Sequence, residues 1–129
     1  MAAVACSMFL SSCALFDSGI PWRSGPYKLL WIDLPDEVQL VYDIGRGGSV
    51  PLVAPRVFAV GSDDRYVVAK QHPHGDKAVT NYFIVDRRSV KSERDIEGSA
   101  VGPLDEAAFR QQASTLKLPA FTKTLETLQ

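Results

Sequence analysis

The sequence has few cysteines, almost no net charge and no long hydrophobic run, and each shortage excludes a class of protein. The two cysteines of the 129-residue chain, Cys6 and Cys13, lie in the first apolar segment, so the remaining residues have no thiol for a disulfide framework. Fourteen Lys and Arg against fifteen Asp and Glu leave a formal charge of −1, without the basic surplus typical of nucleic-acid binding. We therefore expect one globular domain and no nucleic-acid partner.

The N-terminal residues 2–16, AAVACSMFLSSCALF, carry no charge, yet they are shorter than the about 20 residues that a membrane-spanning helix needs. Their length and small residues are typical of a signal peptide, although no Lys or Arg precedes them. Leu10-Ser11-Ser12-Cys13 resembles the bacterial lipobox, in which cleavage before the cysteine is followed by its acylation. We therefore predict a lipoprotein signal peptide over residues 1–12, with Cys13 lipidated. The alternative is a buried N-terminal helix with two incidental cysteines.

A lipidated Cys13 places the protein in the bacterial cell envelope, with the membrane as its first partner. In a Gram-negative cell, Ala14 after the cysteine implies sorting to the outer membrane, facing the periplasm. Residues 17–26, DSGIPWRSGP, are rich in Gly, Pro and Ser, which is typical of a short link. We predict the lipidated cysteine and a flexible tether over residues 13–26, and a globular domain over residues 27–129.

Five segments rich in aromatic and β-branched residues, each followed by a turn signal, predict β-strands. The clearest hairpin crosses Gly61-Ser62-Asp63-Asp64, because Gly and Asp suit tight turns. Gly45–Ser49 and the prolines that follow predict a flexible connection instead. The predicted strands are Tyr27–Leu34, Val38–Ile44, Arg56–Val60, Tyr66–Gln71 and Thr80–Asp86.

Residues 104–117, LDEAAFRQQASTLK, have the spacing of an amphipathic helix, with Asp105 suited to cap its start. Their apolar stripe predicts packing against the sheet. Residues 121–128 remain either one more edge strand or a loose end. We predict an α+β fold with a single antiparallel meander of about five strands packed against one C-terminal helix.

The strand sequences, taken in order, resemble the small bacterial lipoproteins of domain-of-unknown-function family 3997. The resemblance covers most of residues 27–125 and implies a lipoprotein. It supplies no catalytic residue and no cofactor. The segments that carry it are YKLLWID (27–33), PRVFAVG (55–61), YVVAKQHP (66–73) and TNYFIVD (80–86).

The polar segment Lys70–Asp76 holds both histidines, His72 and His74. Two residues apart on an extended chain, the two imidazoles and Asp76 suggest a shared metal. A stable zinc site needs three or four ligands, however, and Pro73 and Gly75 favour a turn, so we expect no metal and no cofactor. Turns likewise explain Asp63-Asp64 and Gly45–Gly48 better than a calcium or phosphate loop. Paired carboxylates that meet across the sheet stay open as an alternative, through Asp33, Asp43 and Asp86.

No nucleophile elbow or other catalytic motif occurs in the sequence, so we expect a non-catalytic protein-binding module tethered to the membrane. Another envelope protein is the expected partner, and an inhibitor or immunity protein is one version of this role. By their chemistry, the candidate contacts are Arg56, Lys70, His72 and His74. One alternative is an envelope enzyme or metal-dependent protein that uses His72, His74 and Asp76. The other is a structural component of the envelope.

Overall fold

This computed structural model describes residues 17–129, which form nine β-strands and one α-helix. Short 3₁₀ turns follow the strands Tyr66–Gln71 and Asn81–Asp86. The elements are β1 (Ser18–Ser24), β2 (Tyr27–Ile32), β3 (Gln39–Gly45), β4 (Gly48–Val53), β5 (Val57–Ser62), β6 (Tyr66–Gln71), β7 (Asn81–Asp86), β8 (Ala100–Leu104), α1 (Glu106–Leu116) and β9 (Lys123–Thr124).

The strands form two antiparallel sheets. The first sheet has the order β1-β2-β3-β4, and the second has the order β8-β7-β6-β5-β9. The predicted combination of antiparallel strands with one C-terminal helix is confirmed. The prediction of a single five-strand meander is only roughly right, because residues 17–129 contain four further strands and the chain changes sheet after β4.

Three of the four additional strands share one feature, a proline at the edge of a sheet. Pro21 lies in β1, Pro51 in β4 and Pro103 in β8, and each strand is the outermost of its sheet. Proline lacks the N–H that a central strand must donate on both sides, but an edge strand leaves one side unpaired. The same prolines that indicate loops in the sequence are therefore compatible with edge strands.

The predicted tether over residues 13–26 needs correction. Ser18–Ser24 form β1, which pairs with β2 from Ser18 opposite Ile32 to Ser24 opposite Tyr27. The domain therefore includes Ser18–Ser24, which the prediction assigned to the tether. The predicted signal peptide and Cys13 lie outside the described residues.

The second sheet is covered on both faces. Along β6, Val67 and Ala69 point to the first sheet, whereas Tyr66 and Val68 point to α1. The first set belongs to an intersheet core that also contains Leu29, Leu40, Val57, Val60, Val85 and Leu128. The second set belongs to a smaller cluster, here called the helix layer, that consists of Tyr66, Val68, Tyr82, Ile84 and Phe109 with partly buried neighbours.

The two sheets share the same two ends. At the entry end, where the chain enters β1, the N–H of Asp33 donates to the carbonyl of Asp17 at 2.7 Å. The N–H of Val57 donates there to the carbonyl of Val38 at 2.8 Å, which joins the sheets. At the far end, the Ser62 hydroxyl donates to that of Ser24 at 2.9 Å.

Candidate functional site

His72 is a buried side chain at the entry end, held in one orientation. Its backbone N–H donates to the carbonyl of Arg56 at 3.0 Å, and its ring stacks on Phe58 with 4.1 Å between centroids. Nδ1 lies 2.8 Å from the carbonyl oxygen of Val79. A carbonyl only accepts, so Nδ1 carries the proton and Nε2 keeps its lone pair in the neutral ring. Nε2 is buried and has no hydrogen-bond partner among residues 17–129.

A pocket of about 150 Å³ lies beside this ring, with Arg56 and Lys77 as its cations and Asp36 as its acid. Nε of Arg56 donates to Oε1 of Glu37 at 3.2 Å, and both side chains are partly exposed. The guanidinium also lies against Gly75, where a Cβ would be 2.7 Å from Nη1. The pocket therefore combines charges of both signs, and the position facing Arg56 accepts only glycine without a shift.

The structure brings Arg56 and His72 together, as neighbours across the β5–β6 pair. His74 is exposed on the following 3₁₀ turn. Lys70 lies on the opposite face of β6, where its Nζ is 4.6 Å from the ring centroid of Phe121. The four predicted contacts therefore belong to two surfaces, and His72, at 5% exposure, presents little area to a partner.

The alternative metal site is not assembled. Asp76 is exposed, and its Oδ1 accepts the N–H of Ala78 at 3.0 Å as part of the turn. His72 is buried, whereas His74 is exposed on the turn that follows. Over residues 17–129, no group of three or more His, Cys, Asp or Glu side chains is placed to hold a metal ion.

Two of the three carboxylates that the sequence leaves as possible acid–base partners, Asp43 and Asp86, pair with separate cations. Asp43 contacts Arg23 at 3.2 Å and Lys28 at 3.4 Å, and Asp86 contacts Arg65 at 3.2 Å. The N–H of Gly45, and then Arg23, lower the pKa of Asp43. A carboxyl with a lowered pKa is ionised at neutral pH, so Asp43 is unsuited to act as a general acid.

An apolar groove at the far end, here called the helix groove, lies between α1 and the second sheet. Its volume is about 310 Å³, and its apolar lining consists of Tyr66, Ile84, Val101 and Leu116. Val101 is 59% exposed and Leu116 is 37% exposed. The ion pair between Arg65 and Asp86 lies on its rim.

Sequence reasoning missed the helix groove. Leu116 falls on the apolar stripe of the predicted helix, which assigns it to the core. Val101 lies in β8, a strand that the sequence did not predict because Gly102 and Pro103 within it indicate a loop.

Comparisons with known proteins give one match. The model of a protein family described as "Protein of unknown function (DUF3997)" matches residues 24–126, which confirms the family resemblance seen in the strand sequences. No curated protein and no solved structure matches the chain. Among residues 17–129, no helix is long and apolar enough to cross a membrane. The lipoprotein character implied by the resemblance stays a prediction.

Proposed function

Because the chain belongs to the DUF3997 family of proteins of unknown function, we propose its role from its own residues. The protein is a non-catalytic protein-binding module of the bacterial envelope, tethered to the membrane through an acylated Cys13. The observation that carries this proposal is the helix groove, an apolar recess with a charged rim.

The groove has the anatomy of an interface pocket. Exposed Val101 and Leu116 flank the more deeply placed Tyr66 and Ile84. Binding energy at protein interfaces concentrates in apolar pockets that a polar rim shields from water. At about 310 Å³ and open to solvent, the recess is near the lower limit of about 300–1,000 Å³ for small-molecule sites. It is better suited to an apolar side chain of a partner protein.

The rim supplies fixed charges. Arg65 lies over the Tyr66 ring, 5.1 Å from its centroid, and pairs with Asp86. The hydrogen bond from Arg65 to Asp86 raises the pKa of the guanidinium further, so both members of the pair stay charged near neutral pH. Exposed charges of this kind contribute more to partner choice and association rate than to affinity.

The position of the groove agrees with a tether at the N-terminus. The chain enters the domain at Ser18, at the entry end, and the groove opens at the far end. A domain held through Cys13 keeps the groove away from the point of attachment. A partner in the same compartment then reaches it without passing the membrane surface.

Cross-linking and pull-down from bacterial envelopes test the binding role. We expect one stoichiometric partner with the wild type and a loss of about tenfold or more with Leu116→Glu, because a charge in the pocket removes the apolar contact. Ile44→Glu is the matched control, since Ile44 and Leu116 are each 37% exposed but Ile44 lies on the first sheet. Full retention in Leu116→Glu, or loss in both variants, would contradict binding at the groove.

The intact mass of the protein made in a bacterium tests the tether. We expect the mass of residues 13–129 with an acylated cysteine, and loss of that modification in Cys13→Ala. An unmodified chain that still begins at Met1 or Ala2 would refute the anchor and leave the groove hypothesis standing.

A further inference from the structure

Three large aliphatic side chains are exposed at the entry end, where β1 begins and β2 ends. Ile20 is 47% exposed, Ile32 is 53% exposed and Leu34 is 61% exposed. Ile32 pairs directly with Ser18, the first residue of β1, and Leu34 follows it by two residues. We name these three residues the entry patch. It lies beside Ser18, the residue of β1 that is closest in sequence to Cys13.

The length of the connection limits how far the entry patch lies from the anchor. Five residue steps separate Cys13 from Ser18. A fully extended chain of that length spans at most about 18 Å. The headgroup layer on each side of a bilayer is about 5–8 Å thick. An acylated Cys13 therefore holds the entry patch close to the membrane surface, whichever way the connection bends.

The chemistry of the patch fits the interface rather than the hydrocarbon interior. Asp33 and Asp36 flank Leu34 and are exposed. Moving their carboxylates into hydrocarbon is strongly unfavourable, whereas aliphatic side chains are stabilised among headgroups and upper acyl segments. The patch is thus able to rest on the bilayer but not to insert deeply.

We propose that the entry patch of the acylated protein rests on the lipid bilayer at headgroup level and thereby orients the domain. Acylation alone supplies a flexible attachment, and contact through Ile20, Ile32 and Leu34 converts it into a defined orientation. In that orientation the helix groove faces away from the membrane. The inference rests on the proposed acylation of Cys13, but not on the identity of the groove's partner.

Fluorescence quenching in vesicles tests the orientation. The acylated protein carries a fluorophore on Leu34→Cys, or on Val101→Cys as the matched control, since these side chains are 61% and 59% exposed at opposite ends. Acylation consumes the Cys13 thiol and cleavage removes Cys6, so the introduced cysteine is the single free thiol. The vesicles contain phosphatidylethanolamine, phosphatidylglycerol and a lipid with a nitroxide on its headgroup.

We expect quenching about threefold or more stronger at Leu34→Cys than at Val101→Cys, because only the first position touches the interface. Ile32→Cys should repeat the result and covers the case that one labelled variant folds poorly. Equal quenching at both ends of a protein whose mass shows acylation would overturn the orientation alone. An unacylated Cys13 in the same sample would refute the anchor and this inference together.

Discussion

The two layers that cover the second sheet differ in how completely they are packed. The intersheet core joins thirteen buried residues, contributed by strands of both sheets and by Val38 and Leu128. The helix layer has five buried residues, and α1 contributes one of them, Phe109. Phe109 stacks on Tyr82 with 4.7 Å between ring centroids and is 5.6 Å from the ring of Phe121. We therefore expect most of the stability to come from the packing between the sheets, and the proposed binding surface lies beside the helix.

Among substitutions that compare the intersheet core with the helix layer, Leu40→Ala is expected to have the largest effect on stability. Leu40 is fully buried between the sheets, and removal of its side chain leaves a cavity in well-packed surroundings. We expect a loss of about 3–5 kcal/mol in the free energy of unfolding, measured by urea denaturation. Ile44→Ala, on the same strand but 37% exposed, is the control. A loss no greater than that of the control would show that the first sheet contributes little to the core.

An intermediate effect is expected from Phe109→Ala. The substitution removes the one buried side chain of α1, but the adjoining groove lets the helix settle, so we expect about 3 kcal/mol, at the low end for phenylalanine. Hydrogen exchange should show loss of protection in Glu106–Leu116 and retained protection in Val57–Ser62. Gln111→Ala, exposed on the same helix, is the control. Equal loss of protection in both segments would contradict the division into two layers.

The smallest expected effect is on the pH dependence of stability, and it comes from the ion pair at the rim of the helix groove. Burial raises the pKa of Asp86, but the N–H of Arg88 and the Arg65 guanidinium outweigh it, so the pKa lies below its ordinary 3.8. A lowered pKa stabilises the fold above the ordinary value, and this contribution is lost as the pH falls through the folded-state pKa. Thermal unfolding should therefore lose less stability on acidification in Asp86→Asn than in the wild type. Asp64→Asn, in the exposed β5–β6 turn, should keep the wild-type slope.

Sequence periodicity predicted the elements whose side chains alternate between two environments. The predicted β6 coincides with Tyr66–Gln71, and the predicted helix cap is confirmed by the N–H of Ala108 donating to Asp105 at 2.7 Å. The edge strands β1, β4 and β8 were not predictable from the same pattern, because a proline interrupts each of them and nearly all of their residues are exposed or half-buried. Pro51 in β4 is an example.

The two candidate sites also differ in how far the sequence predicts them. Arg56 and His72 meet because they flank a local hairpin, so their contact follows from the predicted β5–β6 pairing. The helix groove depends instead on where α1 packs against the second sheet, which places Leu116 and Val101 in the lining of one recess. That placement is set by tertiary packing of Phe109 and not by any pattern within the helix. The burial of His72 was also beyond local reasoning, since it depends on stacking against Phe58.

The C-terminal segment that contains β9 completes the fold late in the synthesis of the chain. β9 pairs with β5 through Lys123 opposite Val60. The backbone beside it packs closely, because a Cβ on Gly61 would overlap the carbonyl of Ala120. Leu128, near the end of the same segment, is 6% exposed in the intersheet core. The intersheet core therefore lacks one of its buried side chains until Leu128 has been synthesised. Between Val57 and Leu128, a ribosome that adds about 5–20 residues per second needs about 4–14 s. We propose that the chain is exported. During this delay its core is incomplete, so the chain is still able to pass through a translocation pore.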